Sequence, residues 1–304
     1  MNKILNYVCN KQYRFGINNK FGLYSAAPDK KFLEKAFKVY LGQELNLNEP
    51  TTFNEKLQWL KLYNRKPEYT IMVDKYKVRD YIKEKIGERY LIPLIGAYDS
   101  SAEVDFDKLP DKFVLKCNHN SGLGMYICKD KSKLTTKRIR EIRKNLDRGL
   151  RQDYYLSGRE WPYKDVPRKI IAEQYMESDA GGLTDYKIHC FNGEPKFILV
   201  CKDRFAQSGL TEDFFSTEWE RLDVRRPNIP NSTTETQKPE VLNEMLEIAK
   251  KLSADIPFLR VDFYVVSGRA YFSELTFFPA SGLEKFEPER WDKVFGEWLS
   301  LPLQ

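Results

Sequence analysis

Two carboxylates and an arginine spaced at alternate positions are the residues of this chain best suited to chemistry. They lie in the stretch Phe258 to Gly282, FLRVDFYVVSGRAYFSELTFFPASG. Its first half alternates, with Leu259, Val261, Phe263 and Val265 on one side and Arg260, Asp262 and Tyr264 on the other. A period of two is the mark of a strand with one apolar face. A second strand-like run, Ala270 to Phe277, follows a Ser267-Gly268 turn signal. Loop parity then decides what Asp262 meets, because directly paired residues share a face. An odd-length loop sets Asp262 against Glu274 and Arg260 against Thr276; an even one parts them. Opposed like charges destabilise a hairpin by roughly 0.2–1 kcal/mol, a penalty that a bound divalent metal removes and reverses. Alternation alone leaves two readings open, a metal site or the solvated face of an edge hairpin.

Lys116 is the next candidate. It ends the strand-like run Asp111 to Lys116 and leads into a polar loop, Cys117 to Gly124, that contains Ser121 and Gly122. Backbone N–H groups in such a loop can form an anion-binding concavity while the lysine supplies a point charge. The loop has no GxxxxGK[ST] and opens no GxGxxG helix, so an ordinary hairpin loop is the alternative. A third candidate is the apolar run Lys169 to Met176. There Glu173 could accept from the exocyclic amine of a flat heterocycle held at the strand edge by Tyr175 and Met176, or be one exposed acid on a core strand. Lys187 and His189 alternate on a later run and so share a face; lone histidines such as His189 and His119 read first as structural. Arg204, with Lys202 beside it, either grips an anionic substrate or makes a surface ion pair.

These residues need a scaffold, and the chain is long enough to supply one. Its 304 residues, 41% hydrophobic and 31% charged, describe a soluble globular protein of two or three subdomains. No apolar run reaches membrane-spanning length, and the first residues lack the apolar core of a secretory signal. Five cysteines without a CxxC pair favour reduced thiols over disulfides or zinc, which makes the cytoplasm the expected address. A net charge of +6 is too modest to announce nucleic acid. Its distribution is uneven: Lys3, Lys11, Arg14 and Lys20 precede the first acid, Asp29, and Tyr7, Tyr13, Phe15, Phe21 and Tyr24 are interleaved with them. That segment either packs onto the domain with its charges in solvent or docks on a membrane surface or partner.

Helical spacing predicts helices over 29–45, 53–64, 74–85, 136–156, 239–253 and 288–300. The second carries a capping-box signal in Thr51 or Thr52 with Glu55. Strands are expected over 90–98, 111–116, 125–128, 169–176, 185–191 and 195–201, the last two joined at Asn192-Gly193, a strong hairpin signal. Residues 225–239 read as a long loop. The order is a helical N-terminal region, a strand–loop–strand–helix unit, then a larger antiparallel sheet with helices, an α+β fold.

In that order the pieces resemble the ATP-grasp superfamily of carboxylate–amine ligases, in particular its teichuronopeptide-biosynthesis (TupA-like) branch. The resemblance rests on LNLNEPTTFNEKLQWLKLY (45–63), VDKYKVRDYI (73–82), LPDKFVLKCNHNSG (109–122), IIAEQYM (170–176), DYKIHCFNGEP (185–195) and RVDFY…FSELTFFPASG (260–282). It implies two α+β subdomains gripping ATP, over 89–168 with the phosphate loop and 169–304 with the metal site, behind a mainly helical region over 1–88. It implies ATP and Mg2+ as cofactors. Lys116 then matches the lysine on the ATP phosphates, and 118–124, with Ser121 and Gly122, the loop covering them. Lys75 falls near the nucleotide, and Glu173, Tyr175 and Met176 match the hinge that holds adenine. Asp185 or Lys187 lies where relatives place ribose or phosphate contacts, and Lys187 is counted as catalytic with Arg260, which matches the arginine at the reacting acyl centre. Asp262 and Glu274 match the magnesium ligands, joined by Thr276 where many relatives have Asn. Arg204, Ser281 and Gly282 are assigned to substrate. The implied activity is amide formation through an acyl phosphate, joining an amine or amino acid to a uronic acid in bacterial surface-polysaccharide synthesis. The expected partners are a carboxylate-bearing small molecule or glycan plus an amine, no nucleic acid, and membrane-associated polysaccharide machinery at the inner membrane face. A sugar kinase and a glycosyltransferase are the alternatives.

Overall fold

The computed structural model describes residues 3–177, 183–202 and 209–303. Helices α1 (Lys3–Cys9), α2 (Lys11–Lys20) and α3 (Asp29–Leu41) open the chain, followed by α4 (Phe53–Tyr63), α5 (Glu68–Val73) and α6 (Val78–Lys85). The start of α4 is set by the expected capping box. Thr52 accepts from the Glu55 amide and the Glu55 side chain returns to the Thr52 backbone, so orphan amides of the first turn are satisfied. The sixth helix begins at Val78 rather than Asp74, because the Asp74 carboxylate accepts from the amides of Tyr76 and Lys77 and makes a turn there.

Strands β1 (Leu94–Tyr98), β2 (Phe113–Cys117) and β3 (Tyr126–Cys128) lead to α7 (Thr136–Leu150), the short α8 (Tyr155–Gly158) and β4 (Ile170–Gln174). They form an antiparallel sheet in the order β1-β4-β2-β3. Phe113, Leu115, Ile170 and Ala172 cluster with Ile142 and Leu146 of α7. The strand that opens the 169–304 stretch thus hydrogen-bonds into the first sheet, and the chain changes sheets between Gln174 and Asp185.

The second sheet, β7-β6-β5-β8-β9, is built from β5 (Asp185–Phe191), β6 (Glu194–Lys202), β7 (Thr211–Ser216), β8 (Phe258–Val266) and β9 (Arg269–Thr276). The amphipathic α9 (Leu242–Ser253) packs its Leu242, Met245, Ile248 and Leu252 into the core shared with Leu259, Val261 and Phe263. One face of β8 is therefore spent on the core, and the other is left to polar residues. The final helix, α10 (Arg290–Trp298), crosses α4 so closely that a Cβ on Gly296 would lie 2.1 Å from the Thr51 carbonyl oxygen.

Part of the acid-free N-terminal segment packs onto the domain and part of it stays exposed. Phe15 packs against Tyr24 and Phe32 at ring separations of 4.9 and 5.6 Å. Ile4, Leu5, Val8, Phe21 and Leu23 are exposed. Among the described residues no helix is long and apolar enough to cross a membrane.

Candidate active site

Ser267 and Gly268 form a two-residue turn with both φ angles positive, 49° and 72°, a hairpin geometry that suits the twist of the flanking strands. An even loop was expected to part the acids, and up to Phe263 the register obeys it: Val266 pairs with Arg269 and Phe263 with Phe272. Between Phe263 and Asp262 the register then shifts, and Asp262 pairs with Glu274, Val261 with Leu275 and Arg260 with Thr276. Ser273 is the extra residue of a β-bulge, which turns Glu274 onto the face that Phe272 avoids. The requirement for an odd loop is corrected in this way, while the predicted juxtaposition stands.

On its other side β8 pairs with β5, Lys187 opposite Asp262 and His189 opposite Arg260. Two cross-strand rows result: Lys187–Asp262–Glu274 and His189–Arg260–Thr276. Arg260 donates through its fork to Asp262, with both contacts at 2.7 Å. It also reaches Glu274 Oε1 at 3.2 Å and Thr276 Oγ1 at 3.1 Å. Lys187 donates to the Asp262 carboxylate and lies 2.6 Å from Asp185 Oδ2. Burial opposes charge on Asp262, yet Arg260 and Lys187 outweigh it and hold the carboxyl below its usual range. Glu274 is also held low, burial being opposed chiefly by Lys75. The same partners keep Lys187 and Arg260 above their ordinary values despite burial. Asp185 is pushed up by burial, against the pull of Lys187.

Lys75, between α5 and α6, ties the two sheets together. Its amide donates to Asn118 O at 3.1 Å and its ammonium to Asn120 O at 2.9 Å, both in the loop after β2. The same Nζ lies 3.6 Å from Glu274 Oε2. That loop is fixed at its base and open at its tip. Asn118 Nδ2 donates to Asp74 and to Pro167 O, and its Oδ1 accepts from the Lys169 amide. Gly124, at φ +74°, sits so near α7 that a Cβ would meet Gly149 Cα at 2.9 Å. Ser121 and Gly122 lie exposed at the tip, and nothing would obstruct a Cβ on Gly122 within 4 Å. Lys116 lies 2.6 Å from Glu173 Oε2, and Arg79 lies 3.6 Å from Glu173 Oε1. Glu173, read as an acceptor for a heterocycle, is thus also shared between two cations; Tyr175 and Met176 follow it past the strand end.

Beyond β9 the chain makes a 3-10 turn over Pro279–Gly282 in which Ala280 and Ser281 have φ of 45° and 56°. Non-glycine residues hold that conformation only when their surroundings enforce it. Gln58 donates to Ser281 O and Gly282 O at 3.0 and 2.6 Å, and Lys61 donates to Ser281 O at 2.7 Å. The Ser281 hydroxyl donates to Glu160 at 2.5 Å. Ser281 and Gly282, assigned to substrate, therefore anchor the turn, and Ala280 is its exposed residue. Arg204 lies outside the described residues; the neighbouring Lys202 donates to Thr236 Oγ1 at 2.8 Å.

Both histidines are buried. His119 lies against Gln152 O at 3.1 Å, and burial pushes its imidazole down to about 4. His189 is buried on the Phe197 ring at 4.0 Å and is pushed well below its usual value. Sequence reasoning missed Lys61, Glu160, Arg79, Glu212, Arg226 and Glu284. Only Lys61 carried a signal, since it follows Leu57 by four residues on the buried face of α4.

Among the described residues no three His, Cys, Asp or Glu side chains gather into a metal cage. Mg2+ does not need one, since it takes one or two carboxylates and completes its shell with phosphate oxygens and water. The paired acids fit that ion. Asp262 is fully buried with both oxygens on cations, whereas the Glu274 side chain is 32% exposed and is the acid an incoming ion meets first.

The family profile described as "TupA-like ATPgrasp" matches residues 55–300. No curated protein matches the chain. Among solved structures, D-alanine–D-alanine ligase from Helicobacter pylori shares 17% identity at a TM-score of 0.42, over 81% of this chain and 69% of that one. The Bacillus anthracis ligase complexed with ATP shares 16% at 0.40, over 68% and 55%. N5-carboxyaminoimidazole synthetase from Staphylococcus aureus complexed with ADP shares 14% at 0.37, over 68% and 44%. The chain thus spans about half the length of the last two.

Proposed function

This chain belongs to the TupA-like ATP-grasp family, and on that premise we propose that it is an ATP-dependent carboxylate–amine ligase. The reading joins an amine or amino acid to a uronic acid of a bacterial surface polysaccharide. A substrate carboxylate takes up the γ-phosphoryl group of ATP, and the amine then displaces phosphate to leave an amide. The observation that carries this is the convergence of Arg260, Asp262, Glu274 and Lys187 on one sheet face, with Lys75 bridging to the loop after β2.

Each residue has a role in positioning or charge neutralisation, which is nearly all that phosphoryl transfer asks of a protein. Glu274 and Asp262 would hold Mg2+, which when bound supplies neutralisation of the phosphate charge. Lys116 and Lys75 present ammonium groups toward phosphate oxygens. Arg260, its fork held by Asp262, would stabilise the oxyanion that develops on the acyl oxygen. The exposed tip at Ser121 and Gly122 would close over the site and exclude water.

The decisive experiment measures ADP release against a matrix of uronic acids and amines, with mass spectrometry of the product. An amide formed only when both substrates are present is expected. A stable phosphorylated sugar, or no ADP with any pair, overturns the reading. The exposed Phe21, Leu23 and Val8 near Lys11, Arg14 and Lys20 support docking beside membrane-bound polysaccharide machinery. Co-sedimentation with phosphatidylglycerol vesicles but not phosphatidylcholine vesicles is expected; equal recovery with both removes the electrostatic part of that idea.

A further inference from the structure

Beside the Arg260 guanidinium lies a partly enclosed cavity of about 40 Å3, walled by Phe53, Phe197 and Phe286 and bounded on its polar side by Arg226 and Glu284. A water molecule needs roughly 10–15 Å3 on this measure. The space therefore takes about three waters, or an amino group with its first carbons; a hexose ring does not fit.

The charges on its polar side do not balance. Arg226 grips both oxygens of Glu212, at 2.8 and 2.9 Å, and its Nε donates to Glu284. One guanidinium thus serves two carboxylates, with the Glu212 side chain 3% exposed and the Glu284 side chain 21%. Arg260, which also favours the Glu284 carboxylate, is bonded to Asp262 and Glu274 and not to Glu284. Among the described residues the ion pairs of this cluster leave one negative charge unmatched, and uncompensated charge in such surroundings is costly. Glu284 is also rigidly placed: Asn54 donates to its carbonyl at 2.8 Å and accepts from its amide at 3.2 Å.

We propose that this cavity receives the ammonium group of the amine co-substrate, with Glu284 as its counter-charge and then its proton acceptor. The inference rests on the ligase reading and adds to it the subsite of the second substrate. Glu284 takes one proton from the ammonium, and the freed nitrogen lone pair forms the C–N bond at the acyl carbon beside Arg260. The C–O bond to phosphate breaks, phosphate leaves with that electron pair, and the second proton shed by the nitrogen leaves with it as hydrogen phosphate. Burial raises the Glu284 carboxyl above its usual range against the pull of Arg226, which suits it to accept a proton. The aromatic walls select the carbons next to the nitrogen and keep water from competing.

Ligand-detected NMR with ethylammonium as the probe tests the subsite on the full chain without any turnover. Wild type is expected to bind it, and Glu284→Gln to bind at least tenfold more weakly. Phe286→Trp, which fills the cavity and leaves every charge in place, should lose binding as well; it keeps the test decisive where Glu284→Gln folds poorly. Absence of binding by wild type, or equal binding by wild type and both variants, overturns the proposal. A parallel assay supplies Mg–ATP, a panel of uronic acids and hydroxylamine, which is neutral at pH 7 and needs no counter-carboxylate. Hydroxamate without Glu284-dependent ethylammonium binding leaves the ligase reading standing and removes the subsite. Glu284-dependent binding without hydroxamate does the reverse.

Discussion

Glu274→Gln is expected to lower ADP formation about 10³-fold, in line with the loss of a group that stabilises transition-state charge, while the melting temperature stays within a few degrees of wild type. The glutamine has the same shape and its amide oxygen can still accept from Arg260, which the glutamate meets at 3.2 Å. What disappears is the negative charge on the more exposed acid of the pair. The lost attraction to Lys75, at 3.6 Å and partly solvated, is worth little to folding. Steady-state rates over a Mg2+ titration, alongside thermal melts, check both halves. A rate near that of wild type at low Mg2+ would remove Glu274 from the metal site.

Lys61→Met should act mainly on stability. The ammonium is fully buried and donates to Gln58, Gly158 O and Ser281 O at 3.0, 2.8 and 2.7 Å. Burial draws it down to about 8, with Glu160 and Asp29 pulling the other way. Methionine fits the space but removes the positive charge that most favours the buried Glu160 carboxylate and leaves Gly158 O without that donor, while Ser281 O keeps Gln58. Breaking a buried pair from one side costs about 3–5 kcal/mol, and at about 2–4 °C per kcal/mol for a large domain the melting point should fall by roughly 10 °C. Activity should fall too, because Lys61 and Gln58 hold the Pro279–Gly282 turn. Adding Glu160→Gln to Lys61→Met should recover part of the loss, through a coupling that a double-mutant cycle reads directly. A single-variant loss within about 1 kcal/mol would show that the network is not holding the turn.

Much of this site was legible in residue order. The alternation from Leu259 to Val265 placed Arg260 and Asp262 on one face, and β5 and β6 flank the Asn192-Gly193 turn as expected. The bulge was not legible: serine is unremarkable in a strand, and only the pairing shows that Ser273 is the extra residue. Strand β7 was missed because TEDFFS breaks any period of two with adjacent acids. Both acids are buried, Asp213 on Arg221 and Glu212 on Arg226, and only Arg226 comes from the 225–239 stretch read as a loop. The helices were easier to read, but their ends were not. The helix expected over 136–156 stops at Leu150, and Arg151 closes it. The N-terminal segment misled in a different way, since sequence cannot say which aromatic rings find partners; Phe15 does and Phe21 does not.

The surplus residue at position 273 separates the far tip of the last hairpin from its catalytic root. Swapping Ser267-Gly268 for another two-residue connection would leave the carboxylates facing each other, so that tip is free to drift in composition. Straightening the strand without shortening it would set Glu274 opposite Val261, on the greasy side, whereas losing one residue between Arg269 and Ser273 would pair Glu274 with Asp262 with no bulge at all.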